Sequence, residues 1–237
     1  TAVIENTLDE SGEYILSFDG TGSNYIHSLS IINMTEPAYT QNGNWYAVKA
    51  GDGKSLITTL ELVSGYNAAA NAPRAYIFLP NGTYDLGETV LTTISGNNIS
   101  LIGESMDKTI IVNKPEVEGI GATATILNTG KNLYIQDLTL QNAYDYYNAK
   151  DAGRAVCLQD RGTQTICKKV KMLSYQDTYY SNDPQGKGQY YFEDSEIHGT
   201  VDYICGGGDA YFNRVLLVNE SRSASGKSGD DVIAAPN

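Results

Sequence analysis

Residues that bind metals or act as sulfur nucleophiles are scarce in this chain of 237 residues, which has three cysteines and two histidines. Cys157, Cys167 and Cys205 make no disulfide framework, because one must stay unpaired. Their apolar, strand-like surroundings mark them as small core residues. His27 and His198 lie far apart and beside no cysteine cluster, which argues against a histidine metal site or a Ser-His-Asp triad. No run of 18 apolar residues is present, so no helix is expected to span a membrane. Basic residues are also few, 16 against 28 acidic ones, for a net charge of −12. Phosphate binding needs a basic face, so nucleic acid is excluded as a partner. A neutral polymer suits such a chain better than a strongly anionic one. Thr1 opens the chain with no charged-then-apolar leader, which reads as a processed or engineered product whose export signal is out of view. Two lysine motifs, "GDGKS" (51–55) and "SGKS" (225–228), lack the glycine a phosphate loop needs, since Val48 and Ser221 stand there. "SGDDV" has no 12-residue calcium-loop pattern around it.

Tyrosine is abundant, with 18 residues against four phenylalanines. Its flat apolar face and polar edge suit sugar rings, although strand propensity explains much of the excess. Residues 1–34 alternate apolar and polar and read as a short β appendage, the end of a sandwich or a decorating pair. The polar segment 35–44, "TEPAYTQNGN", reads as a linker to a domain over 45–237. Apolar residues at 56, 57, 60 and 63 predict one short amphipathic helix within 55–70. Beyond "RAYIFLPNGTYDL" (74–86), a strand, turn and strand, no segment has helical periodicity. Strand-like pieces keep returning instead, at 98–104, 132–142, 165–175, 189–199 and 210–220. Aligning Cys167, Phe192 and Phe212 gives steps of 25 and 20 residues. Repeats of that length without helices point to an all-β solenoid, a parallel β-helix.

That period bears on "HGTVDYICGGGDAYF" (198–212), where Asp202 interrupts an apolar run. Alone, it would read as a turn residue beside a glycine cluster. Asp202 follows Phe192 by ten residues, and Asp177 follows Cys167 by ten. Both acids therefore occupy the same place in successive coils, about 4.8 Å apart in a stack of strands. At that distance and an effective dielectric of ~20 they repel by about 3 kcal/mol, roughly two pKa units. No fold gains stability from such a pair. A catalytic site uses it, because one carboxyl stays ionised while its neighbour holds a proton. Arg154 precedes Gln176 by 22 residues, another single step, which puts a guanidinium and an amide beside the acids.

The segments "YQDTYY" and "GTVDYICGG" resemble the two central signatures of pectin methylesterases, QDTLY and GTVDFIFG. "RAVCL" resembles that family's QAVAL segment, and "AYIFLPNGTYDLGE" its early strand and turn, in matching order over roughly residues 45–237. The resemblance implies a right-handed parallel β-helix, secreted and monomeric, that hydrolyses galacturonate methyl esters in pectin without a cofactor. It implies Asp202 as nucleophile, Asp177 as proton donor and then acceptor, and Gln176 as oxyanion donor, with Arg154, Val201, Tyr179 and Tyr203 contacting substrate. Three departures stand out. Arg154 replaces a glutamine, Cys205 replaces a phenylalanine, and the family's later LGRPW motif is missing after "DDVIAAPN". The last departure implies a domain cut short and a weakly active or inactive fragment. Two rivals stay open: a glycoside hydrolase on the same scaffold, since closely spaced carboxyls suit retaining chemistry, and a non-catalytic polysaccharide-binding solenoid.

Overall fold

The computed structural model describes residues 37–88, 91–121, 123–222 and 229–236. The β appendage expected over 1–34 lies outside the described residues. Ala38–Asn237 forms one compact unit. Part of the expected linker is a strand of that unit: β1 (Tyr39–Asn42) pairs antiparallel with β2 (Trp45–Val48) across a tight turn at Gly43. Polarity misled the reading there, because β1 is an edge strand with three of its four residues exposed.

From β2 onward the strands, numbered in chain order, wind into coils with three faces. The first face stacks β2, β3 (Ala75–Leu79), β6 (Ile99–Gly103), the first half of β9 (Tyr134–Asn142), the first half of β11 (Thr165–Leu173), β13 (Gln189–Glu193) and β16 (Asp209–Asn213). On the second lie β4 (Gly82–Asp85), β7 (Thr109–Asn113), the second halves of β9 and β11, β14 (Glu196–Gly199) and β17 (Leu216–Asn219). The third stacks β5 (Thr92–Ile94), β8 (Ile126–Asn128), β10 (Leu158–Asp160), β12 (Tyr179–Ser181), β15 (Ile204–Gly206) and β18 (Ala234–Pro236). Every pairing among these faces is parallel, which makes the unit a right-handed parallel β-helix. Cys167 pairs with Phe192, and Phe192 with Phe212, as the repeat predicts.

The repeated pattern of two polar residues inside an apolar alternation has a backbone cause. Asp137, Lys169, Asp194 and Arg214 each adopt a left-handed conformation, with φ between 50° and 53°. The bend swings the chain from the first face to the second and shifts the in–out alternation by one residue. Ile135 and Leu138 both point inward around Gln136 and Asp137, and Cys167 and Val170 do the same around Lys168 and Lys169. Inside, Phe192 stacks on Phe212 at 4.9 Å and meets Tyr179 edge-on at 4.8 Å.

Helix α1 (Gly53–Tyr66) covers the interior beside β2, β3, β4 and β5, with Leu56, Leu60 and Val63 fully buried. Asp52 caps it by accepting from the Ser55 amide at 2.9 Å. The helix stops before the alanines at 68–70. Asn67 ends it, donating from its side chain to the carbonyls of Pro73 and Asn97.

Successive coils approach closely at the corner where the third face turns into the first. A Cβ on Gly130 would lie 2.0 Å from the Gly96 carbonyl oxygen, and one on Gly162 would lie 2.0 Å from that of Gly130. Both obstacles are backbone, so neither can swing aside. Gly130→Ala should therefore lower stability by at least about 2 kcal/mol, read as a lower urea midpoint. An unchanged midpoint would contradict the close packing.

Candidate active site

The corner between the second and third faces carries the acids. Asp177 and Asp202 both adopt left-handed backbone, with φ of 59° and 50°. The register of β12 on β15 pairs Tyr179 with Ile204, which sets Asp177 directly beside Asp202 on neighbouring coils. The Asp177 amide donates to the Val201 carbonyl at 3.1 Å and that of Tyr179 to Tyr203 at 2.9 Å, continuing the ladder through the bend. One coil earlier, Arg154 bridges to Gln176, and the Ala155 amide donates to the Gln176 carbonyl at 3.0 Å. Arg154, Gln176 and Val201 thus form one stack, flanking the stack of Ala155, Asp177 and Asp202. Gln176, Val201 and Asp202 are partly exposed, whereas Asp177 is buried, with only 5 % of its surface exposed.

Neighbouring groups fix this corner from both sides. The Thr178 hydroxyl donates to the His198 carbonyl at 2.7 Å, and that of Ser174 to the Ala155 carbonyl. Tyr175, two residues before Asp177, is stacked by Tyr146 at 4.5 Å, with Tyr147 edge-on at 5.1 Å. The 143–153 segment is itself tied down by the Tyr144 hydroxyl, which donates to Asp151 at 2.8 Å. A separate cleft of about 490 Å³ adjoins Tyr175 and is lined by Lys114, Tyr144, Tyr147, His198 and Glu220; neither acid lines it. Among the described residues, no group of three or more His, Cys, Asp or Glu is arranged to hold a metal ion.

Two residues expected to touch substrate are core residues instead. Tyr179 and Tyr203 are fully buried. Tyr179 packs against Phe192 and Tyr190, and the Tyr203 hydroxyl donates to Asn219 at 2.8 Å. The reason is strand parity: within β12, Tyr179 and Ser181 point inward and Tyr180 outward. Tyr180 lies between Gln159 and Cys205 on the outer surface of the third face. The adjacent tyrosines of "YQDTYY" carried that signal, since only one of them can face out. Cys205 is likewise not a core cysteine; it is partly exposed and its thiol faces Asp177, unlike the buried Cys157 and Cys167.

Glu118 was not anticipated. Its carboxylate accepts from the Arg154 backbone amide and from Nε, both at 3.0 Å, and its other oxygen accepts from Nη2. The partners are 36 residues apart in the chain, and nothing in the local sequence marks Glu118 as one of them.

Burial and the charge of Asp202 push Asp177 up to about 6, against the nearby Arg154, which pulls it down. A carboxyl raised from about 4 to about 6 makes the fold less stable as pH rises through that window. The penalty is absent below about pH 4 and complete above about pH 6, where it reaches about 3 kcal/mol. Asp177→Asn should therefore raise the unfolding temperature at about pH 8 and leave it unchanged near pH 3.5. A variant less stable than the parent at the higher pH would mean that Asp177 is not a destabilised buried acid.

The family profile described as Pectinesterase matches residues 46–235. Pectinesterase 2 of Citrus sinensis is 31% identical over 163 residues, covering 67% of this chain and 29% of the relative. Pectinesterase 2.1 of Solanum lycopersicum is 29% identical over 175 residues, covering 73% and 30%. Among solved structures, the pectin methylesterase of Yersinia enterocolitica superposes with a TM-score of 0.61 at 27% identity, over 74% of this chain and 59% of that one. Pectin methylesterase PemA from Erwinia chrysanthemi gives 0.57 at 30% identity, over 69% and 52%. The chain thus spans about 30% of the length of these curated relatives and just over half of the solved chains. With a family profile over most of its length and a superposition on both solved relatives, this chain belongs to the pectinesterase family.

Proposed function

We propose that this chain hydrolyses methyl esters of galacturonate in pectin, releasing methanol, and that it does so outside the cell as a monomer. The observation that carries the reading is the stacked pair of aspartates, of which Asp177 keeps its proton up to about pH 6 beside Asp202. Such a pair supplies two different functions from one residue type. Asp202, at the open corner, is the nucleophile: its carboxylate attacks the ester carbonyl carbon. The oxygen of the tetrahedral intermediate takes a hydrogen bond from the Gln176 side-chain amide, one residue from Asp177 and on the neighbouring stack. Asp177 gives its proton to the departing methoxide, which leaves as methanol, and an acyl-enzyme anhydride remains. Water then attacks the acyl carbon while Asp177 takes back a proton, and the free galacturonate leaves with Asp202 ionised again. Val201 and Tyr180 form the outer surface beside the acids, and Arg154 borders it one coil away. Each step uses side chains of this chain alone.

Family membership supports the ester reading over glycoside hydrolysis, as does the Gln-Asp pairing at the corner. Relatives that carry the name pectin methylesterase include one solved in complex with a hexasaccharide, 31% identical to this chain. Asp202→Asn keeps a side chain that tolerates the left-handed backbone and removes the nucleophile. It should abolish methanol release from methylated pectin while unfolding stays cooperative. Asp177→Asn should slow release by at least about 10²-fold, the scale of general acid catalysis. New reducing ends should not appear with either protein. Full methanol release by the Asp202 variant would overturn the assignment.

A further inference from the structure

The family's glutamine at position 154 is neutral, and the arginine found here brings a full positive charge next to the acid pair. Left alone, that charge would draw the proton off Asp177 and oppose its work as a donor. The structure does not leave it alone. Glu118 closes on Arg154 with both carboxylate oxygens, one of them shared between Nε and the Arg154 backbone amide. The Gly119 amide donates back to the Arg154 carbonyl at 3.4 Å, so the two segments are zipped side by side. Behind Glu118 the segment is held by Asn113 and Asn142, whose side-chain amides both donate to the Thr123 carbonyl, at 2.8 and 2.9 Å. An exposed ion pair on mobile side chains contributes little. Here one partner is anchored through the other's main chain, the Glu118 side chain is only 17% exposed, and the fork-to-fork geometry fixes the guanidinium plane.

We propose that Glu118 is a positioning residue that pins Arg154 in a closed ion pair beside the acid stack and cancels its charge there. The inference rests on the esterase reading for its consequence in turnover, but not for its electrostatics. The groups that face Asp177 are Asp202 on the next coil, Arg154 on the previous one, Glu118 on the 113–123 segment, and the Cys205 thiol of β15. Arg154 itself also faces Asp151. Of these, Arg154 and, more weakly, the Cys205 thiol work to strip the Asp177 proton, while Asp202 and Glu118 work to retain it. Arg154 holds Glu118 far below the usual carboxylate range, at about 2, so the pair stays charged wherever the acids titrate. Arg154 and Glu118 together therefore act on Asp177 almost as the neutral glutamine would, and the substitution at position 154 is tolerated because of Glu118.

Glu118→Gln removes the negative partner and leaves Arg154 uncompensated, so Asp177 should lose its proton earlier. Its titration midpoint, read from the ¹³C carboxyl resonance, should fall by about one pH unit. The alkaline limb of methanol release should move down with it, because turnover needs Asp177 protonated. Arg154→Gln should move both in the opposite direction. The double substitution Glu118→Gln/Arg154→Gln restores a neutral pair and should return the midpoint to within about 0.3 pH units of the parent. A purely structural role for Glu118 would lower the unfolding temperature and leave the midpoint in place, and that result would overturn the proposal. So would shifts of the same sign in the two single variants. If the parent chain releases no methanol, the esterase reading fails, yet the Asp177 titration still decides the role of Glu118.

Discussion

Parallel hydrogen bonding between successive coils is the constraint from which the rest of this protein follows. Each residue has its equivalent one strand spacing away, about 4.8 Å along the solenoid axis. Whatever charge or shape a corner residue carries is therefore met at close range by the next coil's. At the corner between the first and second faces the chain answers with alternating sign: Asp137, Lys169, Asp194 and Arg214 follow one another. Arg214 donates to Asp194 at 2.6 Å and to Glu193 at 2.7 Å. Between the third face and the first it answers with amides, and Asn132 donates to Asn98 at 2.7 Å. Among the described residues, the remaining corner is the one where two like charges adjoin, Asp177 on Asp202. The contrast within one molecule, under one backbone conformation, singles that corner out on physical grounds alone.

The same repetition governs the interior. Phe192 and Phe212 stack because their coils stack, and Tyr179 closes the space between them and Tyr190. Polar residues that point inward obey the rule as well. Asn128 donates to Asp160 at 2.8 Å across one coil step, and burial lifts the Asp160 carboxyl above the usual carboxylate range. The acid corner rests on this packed interior but places its own reactive groups outside it. The chemistry can therefore vary without disturbing the core, as the exchanges at 154 and 205 illustrate.

How much of this was legible depended on whether the determining signal was periodic. The register of Cys167, Phe192 and Phe212 could be counted off the chain, and with it the adjacency of Asp177 and Asp202 and of Arg154 and Gln176. Helix α1 showed itself through the spacing of Leu56, Leu60 and Val63. Parity failed at Tyr179 and Tyr203, because a left-handed residue sits just before each strand and resets which side chains face in. Composition failed at Tyr39–Asn42, where a polar edge strand looks like a linker. Glu118 could not be found at all, since its partner is brought to it by a full turn of the coil, through β8 and both halves of β9.

The left-handed corners also bear on which acid a coil of this kind can recruit. Among the described residues, nine besides glycine have positive φ, and six of them are aspartate or asparagine. Aspartate and asparagine enter this conformation more readily than other side chains, because a short polar side chain can hydrogen-bond locally. Lys169, Gln164 and Arg214 show that longer side chains are tolerated, although these do not dominate. Of the residues the bend prefers, aspartate alone can ionise. A glutamate would bring the same carboxylate on a longer, looser stem and at greater backbone strain. The turn that folds the solenoid thus narrows the choice of reagent before any substrate is present, and the aspartyl character of the pair is inherited from its architecture.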